Sequence, residues 1–224
     1  MLRCGNMRIH AIEFARSSLP ESMVLTGGSE DTKMDIAFLL YVVETDDRKI
    51  LIDAGCDTLP GFEMRNFVSP AKALLDYGIT PASITDVIIT HAHHDHIDSL
   101  RHFPQARVHI QSDEYHKGAH YIPITARVHI FEEGSIVAKS IRILRIGGHT
   151  KGSCIAQVRV GDTQYIFGGD ECYLPICLEQ NIPTGASHNP IASKAFIERF
   201  CKPGYRVLLT HDTKIQTGII IERT

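Results

Sequence analysis

His91-Ala92-His93-His94-Asp95-His96 stands directly after the run Asp86-Val87-Ile88-Ile89-Thr90. That run is short, β-branched and apolar, which predicts a buried strand and not one face of a surface helix. The six residues after it carry four imidazoles and a carboxylate, groups that repel as cations and are costly to desolvate unless a metal ion organises them. On an extended or turning backbone alternate side chains project together, so His91 and His93 can hold one ion while Asp95 and His96 turn toward a second. Imidazole nitrogen and carboxylate oxygen suit a borderline cation, zinc foremost, with iron, manganese or cobalt as alternatives. An exposed histidine-rich loop would have the same composition.

Three later segments weigh against a plain loop. Ile146-Gly147-Gly148-His149-Thr150, Phe167-Gly168-Gly169-Asp170 and Leu208-Leu209-Thr210-His211-Asp212 each set a ligand-type residue at the end of an expected strand. The glycines ahead of His149 and Asp170 allow the sharp turn and close backbone approach that a crowded ion site requires.

Outward from these segments, the apolar run Met34 to Val43 and the stretch Lys49 to Gly55 flank Thr45-Asp46-Asp47-Arg48, the pattern of a hairpin. Pro70 to Tyr77 has helical spacing with Gly78 where a left-handed cap belongs. Strands are expected at 107–111, 140–146, 154–160, 164–167 and 205–210, with helices beginning near Asp98 and running from Asn189 to Phe200. The tetrapeptide Arg-Val-His-Ile at 107 and again at 127 has unmatched flanks and reads as coincidence, not as an internal repeat. No low-complexity linker divides the chain, so residues 1–224 read as one domain, with sheets packed face to face and helices outside.

Composition narrows the function classes. The chain is 43% hydrophobic without any apolar run of membrane-spanning length, so a soluble domain is expected. A net charge of −3 gives no electrostatic argument for nucleic acid and is nearly silent about substrate. The expected partner is a small-molecule substrate. Met1 to Met7 lacks the apolar core and cleavage site of a secretory leader, which predicts a cytoplasmic protein. Cys4, Cys56, Cys154, Cys172, Cys177 and Cys201 include no Cys-x-x-Cys pair and read as free thiols. A homodimer is the base-rate expectation.

Taken together, the motifs resemble the metallo-β-lactamase superfamily. Its H-x-H-x-D-H element is matched by His91, His93, Asp95 and His96, and its later His, Asp and His by His149, Asp170 and His211, in family order. The resemblance implies an α+β fold, a four-layer αβ/βα sandwich of two mixed β-sheets with helices on both outer faces. It implies two divalent metal ions, His91, His93 and His149 on one, Asp95, His96 and His211 on the other, with Asp170 bridging. It also places Asp53 close by as an orienting residue that is not a ligand. Such an ion pair shares a water and lowers its pKa toward about 7. Asp95 or Asp170 would then hold or relay the proton.

Within the superfamily the chain looks most like the lactonase branch that includes the acyl-homoserine lactone lactonases, because Tyr173 follows Asp170 by three residues. The resemblance makes Tyr173 a candidate catalytic donor to oxyanion charge; a tyrosine merely packed under the site is the plainer reading. Departures are the short chain and the lack of an obvious long acyl-chain groove between His96 and His149. Alternatives are a thioester hydrolase of the glyoxalase II type, a phosphodiesterase, or an idle metal-binding sensor. His188, just before the last helix, is a candidate pocket residue. His94 is expected to point away from the metals. His10, His102, His109, His116, His120 and His129 are expected at the surface or in packing, and Cys172 and Cys177 are read as oxidation-sensitive packing residues.

Overall fold

The computed structural model describes residues 6–58, 61 and 63–223, which leaves Cys4 outside the described residues. The strands are β1 (Met7–Pro20), β2 (Lys33–Thr45), β3 (Lys49–Ile52), β4 (Asp86–Ile88), β5 (Arg107–Gln111), β6 (Arg127–Phe131), β7 (Gly134–Ala138), β8 (Ile141–Arg145), β9 (Cys154–Val160), β10 (Thr163–Phe167), β11 (Tyr205–Leu208) and β12 (Gly218–Arg223). The helices are α1 (Glu21–Val24), α2 (Pro70–Tyr77), α3 (His94–Ile97), α4 (Ser112–Gly118), α5 (Pro175–Gln180) and α6 (Pro190–Phe200).

Seven strands form one sheet in the order β12-β1-β2-β3-β4-β5-β6, and five form the other in the order β11-β10-β9-β8-β7. Both are mixed. β3 to β6 run parallel while β12, β1, β2 and β3 alternate in direction, and β10 and β11 are a parallel pair in an otherwise antiparallel sheet. Leu39, Tyr41 and Val43 on β2 meet Ile143, Val158 and Phe167 of the opposite sheet in one apolar layer. The other parity of β2, Phe38, Leu40 and Val42, packs outward with Leu74 of α2. Both faces are buried, which is why the sequence of β2 is a continuous apolar run and not an alternation. Phe196, Ile197 and Phe200 of α6 cover the outer side of the smaller sheet beside Ile166.

The hairpin and α2 lie where the sequence places them, and Gly78 closes α2 in the left-handed conformation at φ 98°, its N–H reaching the Leu74 and Leu75 carbonyls. The strand expected at 205–210 ends at Leu208, the one expected at 140–146 is Ile141–Arg145, and two boundaries at the histidine motif also differ. The strand expected through Thr90 ends at Ile88, because the Thr90 N–H is taken by the Asp53 carboxylate at 2.7 Å. The helix expected near Asp98 begins at His94, inside the histidine motif, and Asp98–His102 continues it as a 3₁₀ turn. β1, α1, β6, β7, β12, α4 and α5 are not among the elements expected from the sequence. No helix among the described residues is long and apolar enough to cross a membrane.

The sheets meet at one end. Cys154 N–H at the start of β9 donates to the Thr90 carbonyl at 2.8 Å, and the N–H groups of Ala37 and Leu39 on β2 donate to the His211 and Thr210 carbonyls at 3.1 and 3.0 Å. These contacts carry the ends of β4, β9 and β11 to a common rim.

Candidate metal centre

All seven residues singled out by the motif reading converge at that rim. Extended backbone through His93, at φ −74° and ψ 152°, sends His91 and His93 to one side; the helical turn of α3 then rotates Asp95 and His96 to the other. Two groups of potential donors result, one of His91, His93, His149 and Asp170, the second of Asp95, His96, Asp170 and His211.

Asp170 belongs to both. Its Oδ2 lies 3.7 Å from His91 Nε2 and 3.5 Å from His149 Nε2, while its Oδ1 lies 3.2 Å from both His96 Nε2 and His211 Nε2. Asp95 Oδ2 faces His96 Nε2 at 3.5 Å and His211 Nε2 at 3.9 Å. In the first group, His93 Nδ1 is 3.0 Å from His91 Nε2 and 2.9 Å from His149 Nε2. Three ring nitrogens facing one point cannot all be satisfied by protons on one another, whereas a cation accepts all three lone pairs.

Charge and orphaned atoms point the same way. Burial pushes the His91 and His149 imidazoles down, His149 to about 4, so both are neutral with a lone pair to offer at pH 7. Burial opposes charge on His96 too, but Asp170, Asp95 and Asp53 outweigh it and hold this imidazole well above its ordinary value. The carboxylates therefore create a strong demand for positive charge. His96 Nε2 and Asp170 Oδ1, which face each other at 3.2 Å, are buried without hydrogen-bond partners. Unpaired buried polar atoms facing each other are costly, and a metal ion between them would remove that cost. The residues present fit a metal.

The outward nitrogens are fixed by the fold. His96 Nδ1 contacts Asp53 Oδ2 at 2.8 Å and His211 Nδ1 contacts the Ala37 carbonyl at 2.8 Å, which places the protons there and leaves Nε2 free on the inside. Asp53 adopts φ 59°, uncommon for a residue with a side chain, and its oxygens also accept from Thr90 N–H and Oγ1 at 2.7 and 2.8 Å. Gly148 explains its own identity: a Cβ there would lie 2.1 Å from Glu171 Oε2 and 2.2 Å from Ser193 Oγ.

Two buried carboxylates that the sequence reading passed over hold the loops in place. Glu114 of α4 accepts from Ala92 N–H at 2.7 Å, Thr150 Oγ1 at 2.6 Å and Gly152 N–H at 3.0 Å, tying the His91–His93 loop to the His149 loop. Glu171 accepts from the N–H groups of Gly148 and His149 and from Ser153 and Ser193 hydroxyls. Burial pushes the Glu171 carboxyl up, with those donors opposing. Glu171 could have been suspected from its place beside Asp170; nothing in the polar stretch around Glu114 announced it.

Of the remaining histidines, His94 turns away from the donors to the Thr58 carbonyl at 2.7 Å and the Tyr121 hydroxyl at 3.0 Å. His10 and His109 are buried packing residues, and His116, His120 and His129 are exposed. His102 contacts Asp57 at 2.8 Å. Tyr173 is buried, its ring 5.0 Å from that of His211 and 5.9 Å from that of His149. Cys172 and Cys177 are fully buried, and all five described cysteines are free.

A cavity of about 580 Å³ opens over His93 and His149, with His188 on its wall.

The sequence model of the metallo-beta-lactamase superfamily matches residues 39–195. The chain belongs to this superfamily. No curated protein matches it. Among solved structures, this superfamily member is similar to an N-acyl homoserine lactone hydrolase with the product N-hexanoyl-L-homoserine bound at its catalytic metal centre (TM-score 0.80, 19% identity, 92% of this chain and 94% of that one). It is similar also to a probable metal-dependent hydrolase from Staphylococcus aureus (TM-score 0.81, 20% identity, 94% and 91%). A third is AidC, a dizinc quorum-quenching lactonase (TM-score 0.75, 16% identity, 95% and 90%). At these identities the likeness speaks for the αβ/βα fold.

Proposed function

We propose that this chain, as one domain, is a hydrolase that uses two divalent ions, zinc foremost, to open a small lactone or a related carboxylic ester. The observation that carries the reading is Asp170, whose two oxygens turn to two separate imidazole sets. Bound there, two divalent ions supply Lewis acidity and water activation at neutral pH. In this reading His91, His93 and His149 hold one ion, Asp95, His96 and His211 the other, and Asp170 both.

The chain's own residues then divide the remaining work. Asp170 has both oxygens engaged, so Asp95, which turns only Oδ2 toward His96 and His211, is the group assigned to take the proton from the attacking water. Burial, with Asp170 and Asp95 close by, pushes the Tyr173 phenol well above its ordinary value. Tyr173 is therefore an O–H donor at neutral pH, suited to stabilise negative charge on the acyl or leaving oxygen.

Two measurements test this. Elemental analysis of the purified protein, with a hydrolysis panel of lactones, thioesters and bis(p-nitrophenyl) phosphate, should give about two metals per chain and rates confined to lactones and esters. A thioester-only or phosphodiester-only profile, or no turnover at all, would sink the assignment. Tyr173→Phe should lower kcat on the order of 10²-fold with little change in KM, the loss typical of one oxyanion donor. An unchanged kcat would return Tyr173 to a packing role.

A further inference from the structure

The cavity over His93 and His149 is lined by Asp113, Glu114, Lys117, Thr150, Lys151, Ser187 and His188 together with two small residues, Gly185 and Ala186. Ala186 is its one aliphatic residue. No large aliphatic or aromatic side chain lines it, and its apolar surface comes from Ala186 and the carbon stems of polar residues, so a long neutral acyl chain would find no dedicated apolar wall to bury its roughly 0.8 kcal/mol per CH₂ against.

The charges of the mouth are unevenly paired. Lys151 Nζ is held by Asp113 Oδ1 at 2.7 Å, and Asp113 Oδ2 is shared with Arg145 at 3.7 Å. Glu114 is buried with its oxygens occupied by three donors from the ligand loops. That leaves Lys117, exposed on the rim. Asp113 is its natural i,i+4 partner on α4, but that carboxylate is turned to Lys151, and among the described residues no carboxylate lies within ion-pair distance of Lys117. The helix cannot roll to change this. Glu114 pins it from below, and Gly118 packs so tightly on the motif that a Cβ would lie 2.8 Å from Ala92 Cβ and 2.9 Å from Ile97 Cδ1.

We propose that Lys117 is the specificity residue of this mouth, receiving a carboxylate carried by the substrate, so that the preferred substrates are small, polar, anionic lactones or esters and not neutral long-chain ones. The inference rests on the hydrolase reading for its chemistry, but the cationic subsite can be measured without turnover.

The kinetic measurement compares 3-carboxy-γ-butyrolactone with its methyl ester on metal-loaded protein. The wild type should favour the carboxylate in kcat/KM by about tenfold, mostly through KM, and the preference should shrink as salt rises. Lys117→Gln should erase most of the preference, Lys117→Glu should reverse it, and Lys117→Arg should retain it. Lys72→Gln, on the outer helix α2, should leave the ratio unchanged. The binding measurement titrates succinate and butyrate calorimetrically into the same proteins; each has one carboxylate for the metal centre, and succinate has a second for Lys117. Succinate should bind more tightly than butyrate in the wild type, with the difference lost in Lys117→Gln.

If both lactones are cleaved equally and Lys117→Gln changes neither measurement, the inference fails while the hydrolase reading stands. If neither lactone is cleaved yet succinate still prefers the wild type over Lys117→Gln, the hydrolase reading fails and the anion subsite stands.

Discussion

Two buried clusters of imidazole and carboxylate adjoin the larger sheet, one within it and one at the rim it shares with the smaller sheet, and they behave differently. At one end Asp86 contacts His109 Nε2 at 2.8 Å, accepts from the Thr85 hydroxyl at 2.8 Å and meets the Arg48 guanidinium at 3.3 Å. The carboxylate there has donors on both oxygens, and the cluster is close to closed, with only His109 Nδ1 left without a partner. At the other end five imidazoles and two carboxylates turn lone pairs inward and leave His96 Nε2 and Asp170 Oδ1, 3.2 Å apart, without a hydrogen bond. Burial of histidine beside aspartate is common to both. What separates a candidate metal centre from a structural ion pair is an excess of converging acceptors over available protons.

The largest effect that would break this contrast is expected at Asp170. Asp170→Ala should abolish hydrolysis and lower bound metal, since one side chain serves both donor groups; His91→Ala should do the same through the first group alone. Retention of activity and full metal content in either variant would refute the assignment. The matching change at the closed cluster, Asp86→Asn, should leave metal content and kcat as they are.

A smaller effect is expected at Glu114, which ties together the two loops carrying His91, His93 and His149 without joining either donor group. Glu114→Gln keeps the volume but sets an amide NH₂ against backbone N–H groups. Metal affinity, measured by competition with a chromophoric chelator, should fall about 10- to 100-fold, the range seen when groups that orient metal ligands are removed. Activity should recover at saturating metal, and failure to recover would show that Glu114 matters to the chemistry and not only to the loops.

Much of this contrast was legible from residue order, because local chemistry announces itself. The hairpin of β2 and β3, α2 with Gly78, β9, β10 and α6 are all signalled by continuous apolar runs or by turn and cap residues. The six-residue histidine motif and the three strand-end segments name the seven converging residues. What stayed hidden depends on tertiary context. β1 changes side-chain parity at the irregularity between Glu13 and Ala15, so neither period holds along it. β6 and β12 are half-exposed edge strands with little apolar pattern to find. The repeated Arg-Val-His-Ile, which has no repeat around it, nonetheless pairs with itself: Arg107 to Ile110 lie in register with Arg127 to Ile130 on parallel neighbours. One copy is interior and the other an edge, so His109 is buried and His129 exposed although their immediate sequence is identical. Glu114, Glu171 and Lys117 owe their roles to contacts across the fold.

The smallest expected effect concerns the closed cluster itself and is read as stability against pH. Burial works against a charged Asp86, yet hydrogen bonds from His109 and Thr85 and the charges of His109 and Arg48 outweigh it and hold the carboxyl below its ordinary value. A depressed carboxyl binds fewer protons in the folded state than in the unfolded one. Its contribution is thus present above the unfolded value of about 4 and lost as pH falls through the folded value. Chelator-treated wild type and Asp86→Asn should differ by about 1–3 kcal/mol in denaturant unfolding at pH 7, the cost of leaving buried donors poorly matched. The difference should narrow as pH falls below about 4, where the unfolded chain's carboxyl takes up a proton while the folded one is still charged, and level off once pH is below the folded value as well. A difference that stayed constant down to pH 3 would mean that Asp86 acts through shape and hydrogen bonding, with its charge contributing nothing, and the two clusters would then differ in kind and not merely in how completely they are paired.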